Sequence, residues 1–130
     1  MHIATGIDII EISRIKKSLE SPRFLLRFFG DAEKDQFASS GRKASYIAGN
    51  FCAKEAFAKA LGRGVRGFSL REIEVLRNPI GKPYLAFSGC ALDLVRHSGL
   101  AFELSVSHTK DYAVAIVIAY RDTSIMGEHK

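Results

Sequence analysis

Three places in the 130-residue sequence carry side chains able to do chemistry where the local pattern does not call for them. The first is Asp8, which interrupts an apolar, alternating stretch over residues 3–12 that is typical of a β-strand. An aspartate in this position either points to water at a strand edge or is held rigidly as a carboxylate ligand for a metal or a substrate. The alternation alone leaves both interpretations open.

The second place is a pair, Glu55 and Lys59, four positions apart in a stretch rich in alanine and phenylalanine. On a helix the two side chains share one face, and such pairs are commonly surface ion pairs that contribute about 0.3–0.5 kcal/mol. The alternative is a site for Mg²⁺ and a phosphate, because Mg²⁺ is usually held by one or two carboxylates together with waters and phosphate oxygens. The lysine would then neutralise phosphate charge.

The third place is the polar end of an apolar strand, where Ser107 and His108 follow Val106. Alternation places Ser105 and Ser107 on one face and turns Val106 toward the core. His108 either bonds to the backbone of a solvated turn or contacts phosphate and transfers protons, for which imidazole is suited near neutral pH. A serine nucleophile is disfavoured because no GxSxG elbow is present, and the glycine-rich residues 62–67 match no phosphate-binding motif.

The helices and strands that the sequence predicts around these residues indicate an α+β fold. We expect a small and mostly antiparallel sheet with a long helix packed on it. Strands are predicted over residues 3–12, 68–76, 84–87, 101–107 and Tyr112–Tyr120. Helices are predicted over residues 11–26 with a break at Pro22, 32–39 capped by Asp31, Ala44–Leu61 ended by Gly62, and 91–97 with Ser88 as cap. The last strand is apolar throughout, as in a strand covered on both faces, and one cover could be another subunit.

Composition limits the classes of protein that remain. With 47% hydrophobic and 25% charged residues the chain is globular, and its length favours one domain, expected over residues 1–121 with a disordered tail at 122–130. The longest apolar run is too short for a membrane helix, and no signal-peptide pattern is present. We therefore expect a cytoplasmic protein in which Cys52 and Cys90 are free thiols, buried as small apolar residues.

Four segments, taken together and in order, resemble the holo-acyl-carrier-protein synthase family, the short type of phosphopantetheinyl transferase. They are GIDIIEI at residues 6–12, FCAKEAFAKALG at 51–62, GKP at 81–83 and SVSHT at 105–109. The resemblance covers about residues 3–120. It implies Mg²⁺-dependent transfer of phosphopantetheine from coenzyme A to a serine of apo acyl carrier protein, which leaves adenosine 3′,5′-bisphosphate. It also implies a homotrimer with active sites between subunits.

The same resemblance implies roles for individual residues. Asp8 and Glu55 match the metal carboxylates, and they form the catalytic set with Lys59, a phosphate contact, and His108, a coenzyme A contact. The residues implied to bind coenzyme A are Lys59, Arg63, Gly64, Lys82, Pro83, Ser107, His108 and Thr109. A base is needed for the attacking serine, and a metal-ordered water, Glu55 and His108 remain alternatives.

Charge suggests where an acidic carrier protein would dock. The chain has a net charge of +5, and residues 13–43 hold eight basic residues against four acidic ones. Acyl carrier proteins are acidic helical bundles, so Arg14 and Lys17 are the positions we expect against the carrier. Complementary charge of this kind mainly raises the association rate and sets orientation.

Two positions depart from the family pattern. Asn50 stands where the family usually has arginine, so one cationic contact to the ribose phosphate of coenzyme A is missing, and Arg42, Arg63 or Arg66 are candidates to replace it. Gly30 stands where a threonine often caps the short helix, which predicts that the cap moves to Asp31.

Two other functions compete with the transferase. A small nucleic-acid-binding module is suggested by the pI of about 9.4, the basic residues 63–77 and nine phenylalanines. No RRM signature, helix-turn-helix or zinc-ligand pattern supports that alternative. A carrier-docking subunit that has lost catalysis is suggested by Asn50. The transferase, with no nucleic acid or membrane as partner, is the function we expect.

Overall fold

A computed structural model describes residues 2–62 and 64–121 of the chain. The expected disordered tail at 122–130 and the expected coenzyme A contact Arg63 lie outside these residues. The elements in chain order are β1 (Ile3–Glu11), α1 (Ile12–Ser18), α2 (Arg23–Phe28), α3 (Asp31–Ser39), α4 (Ala44–Leu61), a 3-10 helix (Leu70–Glu72), β2 (Ile73–Arg77), β3 (Pro83–Phe87), α5 (Gly89–Ser98), β4 (Ala101–His108) and β5 (Tyr112–Tyr120).

The strands form two antiparallel sheets, which confirms the α+β class and the mostly antiparallel arrangement. The larger sheet has the order β1-β5-β4, and β2 pairs with β3 in a separate hairpin. In the larger sheet the central Ala115 lies opposite Asp8 on one side and Val106 on the other. Because β1 and β4 are the two edges, Asp8 and His108 belong to opposite edges of this sheet.

Helix α4 packs on the larger sheet through small side chains on both elements. The β5 residues that face the helix are fully buried: Ala113, Ala115, Val117 and Ala119. On β1 the contact is closer still, since a Cβ built on Gly6 would lie 1.9 Å from the backbone oxygen of Ala56. Only glycine allows the strand to approach the helix backbone this closely.

The opposite face of the same sheet is apolar and exposed. Its isoleucines are Ile3, Ile7, Ile9, Ile116 and Ile118, exposed by between 36% and 63%. Among residues 2–62 and 64–121, strand β5 is therefore covered on its helix side only, and these residues do not provide the second cover that its apolar sequence predicts. That second cover stays a prediction.

Three local predictions were wrong. Residues 68–76 are not all strand, because Ser69 caps the 3-10 helix by accepting from the backbone N–H of Arg71, and β2 begins only at Ile73. The N-cap of α3 is Gly30 rather than Asp31. Cys90 is exposed in the first turn of α5, whereas Cys52 is buried as expected; both thiols are free.

The beginning of α3 shows why the cap did not move to Asp31. The Gly30 N–H donates to the Glu33 carboxylate at 3.1 Å, and the Glu33 N–H donates to the Glu74 carboxylate at 3.0 Å. Glu74 lies on β2, so a residue far away in the chain supplies the oxygen that a capping threonine would provide. A Cβ at position 30 would lie 2.4 Å from that carboxylate, which explains the glycine.

The phenylalanines, which suggested stacking on nucleic-acid bases, instead stack on one another. One cluster contains Phe24, Phe28, Phe29, Phe37 and Phe51, and the other contains Phe57, Phe68, Phe87 and Phe102. Ring centroids lie 5.0–6.5 Å apart in these contacts, within the range of stabilising aromatic pairs. In the described parts of the chain, no helix has the length and apolar character needed to cross a membrane.

Candidate active site

The structure brings Asp8 of β1 and Lys59 of α4 together. The Lys59 Nζ donates to the Asp8 Oδ1 at 3.2 Å and to the backbone oxygen of Ile7 at 2.9 Å. Because Asp8 lies on the same face of β1 as Gly6, its carboxylate is turned toward α4, and 21% of its side chain is exposed. Asp8 is therefore not a strand-edge aspartate that points freely into water.

Glu55 lies one helical turn before Lys59 and adds a second carboxylate to this group. Partial burial raises the pKa of Glu55, and the negative charge of Asp8 raises it further, while Lys59 acts in the opposite direction. The two carboxylates are thus close enough to repel each other. Asp8, Glu55 and Lys59 form one cluster, which we call the carboxylate–lysine cluster.

Cys52 lies behind this cluster, and its role there was not anticipated. Its thiol donates to the backbone oxygen of Ala113 at 3.5 Å and is fully buried. Burial, with the charges of Asp8 and Glu55, raises the pKa of the thiol to about 12, so it stays protonated. The spacing of Cys52, Glu55 and Lys59 on α4, three and then four positions, is the sequence signal that could have placed it on the same helix face.

The carboxylate–lysine cluster fits Mg²⁺. In the described residues no group of three or more histidine, cysteine, aspartate or glutamate side chains could hold a metal ion. Magnesium does not need such a cage, because one or two carboxylates with waters and substrate phosphates complete its octahedron. Asp8 and Glu55 could supply oxygen ligands. A cation between them would offset the negative charge of Asp8, which adds to the effect of burial in raising the pKa of Glu55.

His108 lies in a different place, beside a cavity of about 320 Å³ at the beginning of α4. The cavity is lined by Lys43, Ser45, Tyr46, Arg77, Gly81, Pro83, Val106 and His108. Tyr46 and Lys59 are thirteen positions apart on α4, roughly 20 Å along an axis that rises about 1.5 Å per residue. In one chain the structure therefore brings Pro83 and His108 together, but not with the carboxylate–lysine cluster. We call this second place the His108 cavity.

The other expected coenzyme A contacts are dispersed. Lys82 pairs with Glu103 at 3.8 Å, and Ser107 lies on the sheet face that carries the exposed isoleucines. The Thr109 hydroxyl accepts from the backbone N–H groups of Asp111 and Tyr112, at 3.3 and 3.1 Å. Gly64 has a φ of 62° in the loop after α4.

Arg14 and Lys17 are both exposed on α1, and their role in docking a carrier stays a prediction. They line a groove of about 470 Å³ together with apolar side chains, among them Ile10, Phe24 and Phe51. A basic rim around an apolar floor suits an acidic amphipathic helix.

Comparisons with known proteins identify the family of this chain. A family model described as the 4′-phosphopantetheinyl transferase superfamily matches residues 4–117. A holo-[acyl-carrier-protein] synthase of Caldanaerobacter subterraneus subsp. tengcongensis is 42% identical over 121 residues, which cover 92% of this chain and 95% of that protein.

Solved structures give the same result. The holo-[acyl-carrier-protein] synthase from Neisseria meningitidis superposes with a TM-score of 0.85 at 32% identity, covering 91% of this chain and 98% of that one. The holo-(acyl-carrier-protein) synthase from Bacillus anthracis, in complex with CoA (3′,5′-ADP), gives a TM-score of 0.75 at 35% identity, covering 92% and 96%. The chain therefore belongs to the 4′-phosphopantetheinyl transferase superfamily and, within it, to the holo-[acyl-carrier-protein] synthases.

Proposed function

We propose that this chain transfers the 4′-phosphopantetheine group of coenzyme A to a serine hydroxyl of an apo acyl carrier protein, with Mg²⁺, in the cytoplasm. The serine oxygen bonds to the phosphorus that carries pantetheine, the bond from that phosphorus to the bridging oxygen breaks, and adenosine 3′,5′-bisphosphate leaves. The hydroxyl proton passes to a base. The observation that carries the proposal is the convergence of Asp8, Glu55 and Lys59 at one place.

Asp8 and Glu55 are the residues that would hold Mg²⁺, which when bound offsets negative charge on the pyrophosphate. Lys59 is the phosphate contact. Two of its three N–H donors are used by Asp8 and Ile7, and its side chain is 56% exposed, so a donor remains for a phosphate oxygen. This donor acts on charge that grows as the bridging bond breaks.

The test of the function is a transfer assay. The chain is incubated with coenzyme A, Mg²⁺ and an apo acyl carrier protein, and the carrier is weighed by mass spectrometry. We expect an increase of one phosphopantetheine group on the carrier serine, none when a chelator removes Mg²⁺, and adenosine 3′,5′-bisphosphate as the second product. An unmodified carrier that a known synthase does modify would contradict the proposal.

We also propose that the active site lies between subunits of a homotrimer. The carboxylate–lysine cluster and the His108 cavity lie at opposite ends of α4 in one chain, so a site that uses both needs two chains. The exposed isoleucines of the larger sheet supply the apolar surface for the contact, because soluble monomers rarely expose a large contiguous apolar patch.

The trimer predicts a mass near three times 14.3 kDa by sedimentation equilibrium. Ile9→Arg, at the most exposed of the sheet isoleucines, should shift the chain to monomer and abolish transfer, because the charge would be buried in the contact. Ile80→Arg, in the β2–β3 turn and 89% exposed, is the matched control and should keep the trimer mass. A monomeric wild-type chain with full activity would overturn the shared site.

Arg14 is proposed to contact the acidic carrier. Arg14→Glu should lower kcat/KM for the carrier roughly 3- to 10-fold at low salt, because an exposed charge pair is replaced by like charges, and the deficit should shrink as salt screens both. Arg96→Glu reverses the charge of an exposed residue on α5 and is the control; it should change kcat/KM little. An Arg14 variant whose salt dependence matches that of the wild type would place the docking surface elsewhere.

A further inference from the structure

The His108 cavity is a basic concave surface away from the carboxylate–lysine cluster. Lys43 and Arg77 bring two cationic side chains to it, His108 adds a group that can become cationic, and none of the described residues that line it is acidic. The first turn of α4 also lies at this cavity and contains no acidic residue. The partial positive charge of the helix N-terminus therefore adds to that of the side chains.

Arg77 is held in a fixed orientation toward this cavity. Its Nη1 donates to the Oδ1 of Asn50, and its guanidinium carbon lies 4.0 Å from the centre of the Tyr46 ring. Its backbone is fixed as well, since the Gln36 amide accepts from the Arg77 N–H at 2.9 Å and donates to the Arg77 carbonyl at 3.1 Å. A guanidinium fixed in this way loses little conformational entropy when it binds a ligand.

Asn50 explains why the guanidinium comes from β2. The Asn50 side chain is fully buried, and its Nδ2 donates to the Glu33 carboxylate at 3.1 Å and to the Val75 carbonyl at 3.0 Å. With both donor directions used, the Asn50 carbonyl is left to accept from Arg77. Asn50 therefore holds the Arg77 guanidinium in place through its side-chain carbonyl. Its presence does not mean that an anion site has been lost.

Within the part of the chain that the structure describes, no ion pair joins Arg77 to a carboxylate. Its contacts are the neutral Asn50 amide and the Tyr46 side chain, and the buried Glu33 attracts it without forming an ion pair. A half-buried guanidinium beside an open basic cavity is suited to a bidentate contact with a phosphate. Arg42 and Arg66, which the sequence suggested as replacements for the missing arginine, do not line this cavity.

We infer that Arg77 binds the ribose 3′-phosphate of coenzyme A, in place of an arginine at position 50. The inference rests on the proposed use of coenzyme A. The pyrophosphate is assigned to Lys59, so the 3′-phosphate is the phosphate that remains for Arg77. The two phosphate groups of one coenzyme A are too close together to span α4, so the cavity serves the coenzyme A whose pyrophosphate lies on a neighbouring subunit.

The test compares coenzyme A with 3′-dephospho-coenzyme A as substrates. Arg77→Gln should lower kcat/KM for coenzyme A roughly 10- to 100-fold, the loss expected for a charge-assisted hydrogen bond, and should leave kcat/KM for the dephospho substrate within about 2-fold of wild type. Arg77→Lys should lose less, and again only with coenzyme A. Arg96→Gln removes an equal charge from exposed α5 and should affect neither substrate.

An equal loss with both substrates, or no loss with either, would overturn the inference. A binding measurement separates its failure from that of the proposed function. Wild-type protein should bind adenosine 3′,5′-bisphosphate at least 10-fold more tightly than adenosine 5′-monophosphate by calorimetry, and Arg77→Gln should remove that difference. The wild type could prefer adenosine 3′,5′-bisphosphate over the monophosphate, through Arg77, and yet show no transfer; the inference would then hold and the proposed transfer would fail. If the wild type binds the two nucleotides equally well, the inference fails.

Discussion

Asp8→Ala and Glu55→Ala should each lower Mg²⁺-dependent transfer roughly 10²- to 10⁴-fold while the fold stays intact. The size follows from the several kcal/mol that a correctly placed metal ion contributes to charge stabilisation, at about 1.4 kcal/mol for each factor of ten. The fold should survive because neither side chain is fully buried, so truncating either one leaves no cavity in the core. Circular dichroism and thermal unfolding check the second part.

The Mg²⁺ dependence of the residual activity distinguishes a ligand from a merely structural residue. Asp8→Asn keeps one oxygen and should require a higher Mg²⁺ concentration for half-maximal transfer, whereas Asp93→Asn, an exposed acid on α5, should behave like the wild type. Retention of wild-type activity by both alanine variants would remove Asp8 and Glu55 from the metal site.

Lys54→Met should lower the free energy of unfolding by about 3–5 kcal/mol, because it leaves the buried Glu33 carboxylate without a counter-charge. Both side chains are fully buried. The ammonium donates to Glu33 and to the carbonyls of Leu70 and Ile73, at 2.9 and 2.6 Å. Burial away from water raises the pKa of Glu33 and lowers that of Lys54, so it disfavours the charged form of both side chains. The hydrogen bonds between the two groups and to the backbone are needed to keep both charged.

Urea unfolding measures this effect, and a double variant tests its cause. Glu33→Gln combined with Lys54→Met should cost clearly less than the sum of the two single changes, since neither charge is then left alone. Lys34→Met, which removes one of the two cationic partners of the exposed Asp31, should change the free energy of unfolding by less than about 1 kcal/mol. Additive losses at positions 33 and 54 would show that the pair does not act as a unit.

Some of this architecture follows from local sequence and some does not. The bounds of α4 were predictable because its start lies after a turn and its end is Gly62, which has a φ of 75° that other residues rarely adopt. The cap of α3 was not predictable, because its oxygen comes from Glu74, 41 residues away from Glu33. Cys90 was misplaced for a similar reason: its N–H donates to Glu72, which holds it at the exposed beginning of α5.

The candidate site divides in the same way. The spacing of Glu55 and Lys59 predicts their common face, but the contact of Lys59 with Asp8 spans 51 residues and depends on how β1 crosses α4. Family resemblance named His108 together with these residues and implied active sites between subunits, but it did not indicate which of the residues a single chain keeps apart. Arg77 belongs to none of the sequence motifs, and its place at the His108 cavity was recognised only through its contact with Asn50.

The close approach of Gly6 to Ala56 has a consequence for the two carboxylates. Asp8 is two residues beyond Gly6, and Glu55 directly precedes Ala56, so the contact between the two backbones sets how close these two residues come. A methyl group at position 6 would push the backbones apart. The geometry of the proposed metal site is therefore sensitive to substitution at a residue that has no side chain and takes no part in the proposed chemistry.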